Sequence, residues 1–146
     1  MRLNLGLSVF QRNMGKPLLN SSPLVNSGGN PYTTFTAVGT YGFDADSNGT
    51  GLQICGTEDE ISVLNGFSYS VKFNLTTNSG LTFEGFRFAT GFGGTSRSNT
   101  IIAVNILEGY NSHVLIATAD DTVVLQFYHS NDVGNVSLRN LSVTEI

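Results

Sequence analysis

The sequence predicts an all-β protein with its strands packed in two layers, and three observations lead to this fold class. The apolar residues occur in short blocks between turn residues, and the chain holds 17 glycines, as many-stranded β proteins do. Only 12% of the residues are charged, about half the usual share of roughly 25%. No segment repeats apolar residues at i, i+3, i+4 and i+7 over ten or more positions, as an amphipathic helix would. The length of 146 residues suits one domain.

The clearest strand runs from Phe67 to Leu75. Every second residue in it is large and apolar, and the residues between them are Ser, Ser, Lys and Asn. A period of two predicts a strand with one face in the core and the other in water. The large apolar residues at its odd positions are therefore expected to belong to the core.

Further strand patterns follow from Tyr32 to the C-terminus. The apolar pattern changes phase at Glu84–Gly85 and again at Arg139–Asn140, as a β-bulge would cause. Together the segments predict about nine strands in an antiparallel jelly-roll β-sandwich over residues 34–146. Strands are expected within 35–43, at 52–54, 67–75 and 81–88, and at 100–107, 112–118, 122–129 and 135–145.

Residues 1–33 differ from the rest and are predicted to form an N-terminal strand and an extended arm. All three prolines of the chain fall in this part, so it cannot hold a long regular element. One interpretation is a strand followed by a surface loop; the other is an arm that pairs with a neighbouring molecule. The residues that would contact the partner are the alternating apolar ones, Leu3, Leu5, Leu7 and Val9.

Charge and composition exclude several classes of partner. The net charge is −4 and the basic residues are scattered, whereas nucleic-acid binding requires clustered Lys and Arg. No stretch approaches the roughly 20 apolar residues of a membrane helix, and the first residues lack the apolar run of a secretory signal.

The single cysteine, Cys55, allows no intrachain disulfide and is expected to be a buried structural residue. We therefore expect a protein made in a cytoplasm.

One segment imitates a metal site. Asp44, Asp46 and Asn48 precede Gly49 in the pattern D-x-D-x-[DN]-G, which opens a calcium-binding loop. The position of the bidentate Glu holds Cys55 instead. The alternative is a turn between strands, where the same residue types serve the backbone, and this is the interpretation we adopt.

No residues form a recognisable catalytic motif. His113 and His129 lack a histidine or cysteine partner near them in the sequence, and a metal site needs several ligands at defined spacing. A Ser-His-Asp site that includes His129 and Asp132 could be assembled only in space, and no G-x-S-x-G elbow occurs. We expect a protein that is not an enzyme and carries no cofactor; a glycan lyase or esterase on this fold ranks third among the functions.

Two stretches resemble a known family. Residues 61–75, with Tyr-x-Val-x-Phe-x-Leu at their end, resemble the middle of jelly rolls of the carbohydrate-binding-module type. Residues 123–127 and 135–146 are similar to the closing strands of the same modules. The opening residues 2–9 resemble those of small virion proteins of tailed bacteriophages, which use such domains as head decoration proteins and in tail fibres.

This resemblance implies two functions. The first is a head decoration (cement) protein that stabilises a capsid surface, with the major capsid protein or other virion proteins as partners and a homotrimer as assembly. The alternative is a carbohydrate- or receptor-binding module of a tail fibre or cell surface. The chain departs from sugar-binding members in having no Trp. Its candidate ligand contacts are Phe92, Arg97, Tyr110 and Tyr128, of which the first two belong to a glycine-rich tongue at 91–99. The location that we expect is the virion, after synthesis in a host cytoplasm.

Overall fold

The structure, a computed structural model, describes residues 15–19, 24–29, 32–78, 81 and 83–146. These residues form eleven β-strands and one short 3-10 turn, Ala103–Asn105. No helix among them is long and apolar enough to cross a membrane. The strands are β1 (Leu24–Gly29), β2 (Thr34–Ala37), β3 (Phe43–Asn48), β4 (Leu52–Thr57), β5 (Ile61–Val63), β6 (Ser68–Asn78), β7 (Gly85–Ala89), β8 (Ile101–Ile102), β9 (Gly109–Ile116), β10 (Asp121–Ser130) and β11 (Val133–Glu145).

The strands form two antiparallel sheets that pack face to face. The front sheet has the order β2-β3-β11-β6-β9, and the back sheet has the order β1-β4-β10-β7-β8 with β5 beside β10. Every pairing between these strands is antiparallel. The predicted all-β sandwich is confirmed, with eleven strands in the described residues where about nine were expected.

The core contains the apolar side chains that alternate along β6. Tyr69, Val71, Phe73 and Leu75 are all buried, whereas Lys72 between them is exposed. Across the core, the ring of Phe73 meets two rings of the back sheet edge-on, with centroids 5.5 Å and 5.4 Å away; these belong to Phe86 and Phe127. Such edge-to-face contacts contribute about 0.5–1.5 kcal/mol each beyond the burial of area.

Three predicted segments are different in the structure. The apolar run 35–43 is a hairpin, in which the N–H of Val38 donates to the carbonyl of Gly42 between β2 and β3. Residues 44–48 are not a turn but strand β3, because Ala45 and Ser47 alternate into the buried side. Residues 100–107 hold only the two-residue strand β8, after which the 3-10 turn bends the chain away.

Parts of the predicted N-terminal arm lie on the sandwich. Residues 15–19 run beside the end of β11, where the N–H of Leu18 donates to the carbonyl of Val143 at 2.8 Å. Strand β1 is the edge of the back sheet and pairs with β4. The proposed contacts Leu3, Leu5, Leu7 and Val9 lie outside the described residues, so the arm and the boundary at residue 33 stay predictions.

The two predicted bulges have different outcomes. In β11 the pairing with β6 shifts between Arg139 and Ser142, and Asn140 adopts a φ of 55°; this bulge is confirmed. At Glu84–Gly85 the phase change marks the start of β7. Gly85 is needed there because a Cβ would lie 2.6 Å from the Tyr128 hydroxyl and 2.8 Å from the carbonyl oxygen of Ile101.

His129 is a polar residue in the apolar core. Its side chain is fully buried between the rings of Tyr32 and Phe83, with centroids 5.3 Å and 6.1 Å away. Neither ring nitrogen has a hydrogen-bond partner among the described residues. Burial lowers the pKa of His129 below its usual value of 6.5, and the nearby carboxylates of Asp132 and Glu84 offset this only in part.

This burial predicts acid sensitivity. The unfolded chain binds a proton at His129 more readily than the folded chain, so the free energy of unfolding should fall as the pH drops below 6.5. The variant His129→Phe should flatten this dependence between pH 7.5 and 5.5, as measured by urea unfolding at each pH. Parallel pH profiles for the variant and the wild type would contradict the assignment.

The bulge of β11 predicts a second effect. A left-handed backbone conformation destabilises a residue that has a side chain by about 1–2 kcal/mol, and it destabilises Asn less. Asn140→Val should therefore lower the free energy of unfolding by about 1–2 kcal/mol, whereas Asn140→Gly should leave it within about 0.5 kcal/mol of the wild type. Equal effects of the two substitutions in denaturant unfolding would show that the backbone conformation is not the cause.

Candidate functional site

A polar groove lies on the outer face of the front sheet, across β2, β3, β11 and the end of β6. The side chains that point outward from these strands meet in rows because the pairings put them directly opposite one another. The groove has a volume of about 470 Å³. Its lining residues are Thr34, Thr36, Asp44, Ala45, Asp46, Asn78, Asn135, Val136 and Ser137.

One row of the groove is centred on Asp46. The hydroxyl of Thr34 donates to one carboxylate oxygen of Asp46 at 2.5 Å, and the side-chain amide of Asn135 donates to the other oxygen. Each partner stands on a different neighbouring strand, so the carboxylate is held from both sides. No cation pairs with Asp46 within the part of the chain that the structure describes.

The next row is centred on Asp44. The hydroxyl of Ser137 and the guanidinium of Arg139 both donate to the same carboxylate oxygen at 2.6 Å. These hydrogen bonds and the positive charge hold the pKa of Asp44 below its usual value. Arg139 also donates to the carbonyls of Phe43 and Leu138, which fixes the guanidinium at the edge of the groove.

Two polar side chains of the groove have no hydrogen-bond partner among the described residues. They are Thr36 on β2 and Asn78 at the end of β6, and both are exposed. They stand on opposite sides of the Asp44 and Asp46 rows, since β3 and β11 lie between them. The groove therefore offers free hydroxyl and amide groups at its sides and fixed carboxylates along its floor.

A second cleft adjoins the groove beyond Arg139. It has a volume of about 340 Å³ and is lined by residues 38–41, Arg139 and Asn140. Tyr41 is half-buried here, and its hydroxyl donates to the carbonyl of Leu19 at 3.0 Å. Because Ser137 and Arg139 are consecutive outward residues of β11, the groove and this cleft follow the same strand and together form an elongated surface.

The calcium-like segment lies inside this groove but has the wrong shape for a calcium loop. Asp44, Asp46 and Asn48 are alternate residues of a strand, so their Cα atoms are about 6.6 Å apart in sequence order. The oxygens are spread along β3 rather than turned toward one centre, and both carboxylates are engaged by neighbours. Among the described residues no group of three His, Cys, Asp or Glu side chains could hold a metal ion.

The predicted ligand contacts do not form one surface. Phe92 lies over Gly56 on the outer face of the back sheet, and Tyr128 lies on the same sheet under Arg87, whose guanidinium carbon is 5.5 Å from the ring centroid. Arg97 is paired with Asp121 at 2.6 Å. Tyr110 is exposed on β9 of the front sheet, away from the other three.

The tongue itself is packed down rather than extended. The N–H of Gly93 donates to the side-chain carbonyl of Gln126 at 3.2 Å, and Gln126 is almost fully buried although it points outward from β10. The tongue therefore covers part of the outer face of the back sheet, and no described residue covers the front sheet in this way. That Phe92, Arg97, Tyr110 and Tyr128 contact a ligand stays a prediction.

Sequence reasoning missed the groove because it interpreted residues 44–49 as a turn. The alternation of Asp44, Ala45, Asp46 and Ser47 carried a signal for a strand with an acidic outer face. The second signal was the alternation of polar residues at 135, 137 and 139. Neither pattern shows that the two strands are neighbours, which is decided by the pairing of β3 with β11.

Comparisons with known proteins include two remote likenesses in structure. No protein-family model matches the chain, and no curated protein matches it in sequence. The enzymatically active domain of tailspike protein 4 from bacteriophage CBA120 is similar in structure, with 14% identity and a TM-score of 0.49 over 88% of this chain. A carbohydrate-binding module of family 29 is similar at 14% identity and a TM-score of 0.44, over 86% of each chain. The chain spans 18% of the tailspike domain, and neither likeness identifies a ligand.

Proposed function

We propose that this protein is a carbohydrate-binding domain and that the groove on the front sheet binds a neutral oligosaccharide. The observation that carries the proposal is the arrangement of donors and acceptors in the groove. Free groups of Thr36 and Asn78 flank two carboxylates that are held in place by hydrogen bonds. Sugar hydroxyls both donate and accept, so they match such a mixed lining, and the preorganised carboxylates require little ordering on binding.

The charge of the groove favours a neutral sugar over an acidic one. Arg139 offsets the charge of Asp44, but the charge of Asp46 has no cationic partner among the described residues, and the chain as a whole carries a net charge of −4. A uronic acid, a sialic acid or a phosphate would place a second negative charge beside Asp46, at an energetic cost. The groove and the adjoining cleft, with volumes of about 470 Å³ and 340 Å³, follow the same strand and suit more than one sugar ring.

The same side chains support binding rather than hydrolysis. Glycosidases that cut with two carboxyl groups need one of them protonated near neutral pH as the general acid. In the groove, Ser137 and Arg139 lower the pKa of Asp44, which keeps it ionised. Asp44 is therefore unsuited to act as the general acid, and we propose a binding module without enzymatic activity.

Head decoration of a bacteriophage capsid is the second candidate function. It is supported by the alternating sequence Leu3 to Val9 and by Gly15, whose N–H donates to the carbonyl of Glu145 at the end of β11. An arm that precedes Gly15 would leave the domain at that end. This proposal includes that the protein is part of a virion, on its head or its tail. That part rests on the resemblance of residues 2–9 to small virion proteins of tailed bacteriophages.

The groove proposal predicts the effect of two mild substitutions. After a glycan array identifies a ligand, Thr36→Ala and Asn78→Ala should each weaken binding by about tenfold, because one hydrogen bond to the sugar is lost in each. Asn105→Ala is the matched control, since Asn105 is exposed in the 3-10 turn and lies outside the groove. Titration calorimetry measures all three.

A third variant separates the groove from the tongue. Arg97→Gln should leave the affinity unchanged if the groove binds the sugar. Loss of binding in Arg97→Gln with retention in both groove variants would overturn the groove assignment and favour the tongue. An array without saturable binding to any neutral glycan would overturn the proposed function itself.

A further inference from the structure

Strand β9 leaves part of one sheet edge open. It is the last strand of the front sheet and pairs with β6 through residues 109–116. Along it, alternate residues direct their N–H and C=O groups toward β6 or away from it. The N–H of Ile116 donates to Asn99 Oδ1 and its carbonyl accepts from the N–H of Asn99, so the even-numbered residues are those that face away.

Only one end of this edge is covered among the described residues. Asn99 and Arg97 lie beside residues 116–118, where the N–H of Thr118 donates to the carbonyl of Arg97. The amide of Asn99 also reaches the carbonyl of Val114, at 3.3 Å. Toward the other end, no described residue pairs with the outward backbone groups of Tyr110 and Ser112 or with the N–H of Val114. The open edge is therefore residues 110–114.

The open edge lacks the features that usually keep sheet edges apart. Natural edges are protected by charged side chains, prolines or bulges. Strand β9 has the sequence GYNSHVLI, without a charge from Lys, Arg, Asp or Glu, and its pairing with β6 is regular. Tyr110 and Val114 expose 62% and 44% of their surfaces. Leu107, just before the strand, is exposed as well.

We propose that this edge pairs with the same edge of a second copy of the chain, around a twofold axis at Ser112. In an antiparallel pairing with this centre, Ser112 lies opposite the partner copy's equivalent residue, and Tyr110 lies opposite Val114 of the other copy. Aromatic and β-branched side chains are a favourable cross-strand pair. The open edge is thus self-complementary in backbone, in side chains and in length.

Electrostatics favour a copy of the chain over a charged foreign strand. Although the chain carries a net charge of −4, none of its carboxylates is on β9, so two copies bring no charges into direct opposition there. The histidine of the strand, His113, points inward against the rings of Phe73 and Phe86, and burial lowers its pKa, so it is neutral at pH 7. A foreign strand with charged side chains would find no opposite charge on β9 itself, since the nearest one in register, Lys72, lies one strand further in on β6.

The pairing would leave the groove open. The groove lies on β2, β3, β11 and the end of β6, where Asn78 is beyond the residues of β6 that pair with β9. Two front sheets joined through β9 form one continuous sheet, with a groove on each half and both grooves on the same face. A polymeric ligand could then contact both grooves, which raises the overall affinity through effective concentration.

The first test uses the mass in solution. The wild-type chain should have twice the chain mass by light scattering at tens of micromolar concentration. Val114→Lys should give the monomer mass, because a charged lysine on the open edge disfavours strand addition. Val133→Lys is the matched control: Val133 is also an exposed valine in a strand, but it lies at the start of β11. A monomeric wild type, or equal masses for both variants, would overturn the proposal.

The second test reports on the twofold axis directly. Opposite residues in an antiparallel pair have Cα atoms about 5.5 Å apart, within the range that a disulfide spans. Mild oxidation should therefore link two copies of Ser112→Cys, and should not link copies of Thr76→Cys, which places the thiol on the same sheet face but on β6. The natural Cys55 is buried and does not interfere. No cross-link in Ser112→Cys, or equal linking of both, would contradict the axis.

Removal of residues 1–14 separates this pairing from assembly through the arm. The truncation stops before Gly15, so it spares residues 15–19 and β1, which belong to the sandwich. Pairing through β9 predicts that the truncated chain keeps twice the chain mass. A trimer of the full chain that becomes a monomer on truncation would favour the arm and overturn pairing through β9.

Discussion

The contact between β6 and the back sheet holds the molecule together. Phe73 is the centre of this contact, because its ring packs edge-on against both Phe86 and Phe127. Those two rings also contact each other, with centroids 5.2 Å apart. Each is fully buried, and burial of such a side chain contributes about 1.5–3 kcal/mol. Because this face of β6 is buried, the polar residues of the strand lie on its opposite face, toward the solvent.

The two outer faces of the sandwich differ in what covers them. On the back sheet, the tongue lies across Gly56 and Gln126. Gly56 is required at that crossing because a Cβ there would lie 2.3 Å from the carbonyl oxygen of Leu125 and 3.0 Å from the ring of Phe92. The front sheet has no such cover among the described residues. Its outward side chains therefore remain available to form the groove, and its edge strand β9 remains available for pairing.

Strand β11 links the stability of the fold to the shape of the groove. It is the central strand of the front sheet and pairs with both β3 and β6. Its bulge at Asn140 shifts the register, so that Leu141 and Val143 remain buried after Leu138. The same bulge follows directly on Arg139, whose guanidinium holds Asp44 at the edge of the groove. The backbone feature that preserves the core thus also ends the groove on one side.

The sequence by itself determined the all-β class, the buried face of β6 and the phase change in β11. These are local properties, because an alternation of period two shows which side chains of a strand are buried, whatever strands lie beside it. The isolated cysteine was likewise expected to be buried, and Cys55 is. The resemblance to carbohydrate-binding modules named the kind of function that we propose for the groove, but the predicted contacts Phe92, Arg97, Tyr110 and Tyr128 do not line the groove.

Only the tertiary structure decided where the groove is. Asp44 and Ser137 are 93 residues apart in the chain, and Asp46 and Asn135 are 89 apart. They become neighbours because β3 and β11 pair, and strand pairing over such distances depends on how both sheets bury their apolar faces together. The open edge of β9 has the same origin: its sequence shows a strand, but the order of strands in the sheet makes it the last one. Local patterns determine which face of a strand is wet, and the pairing of strands determines what that face can bind.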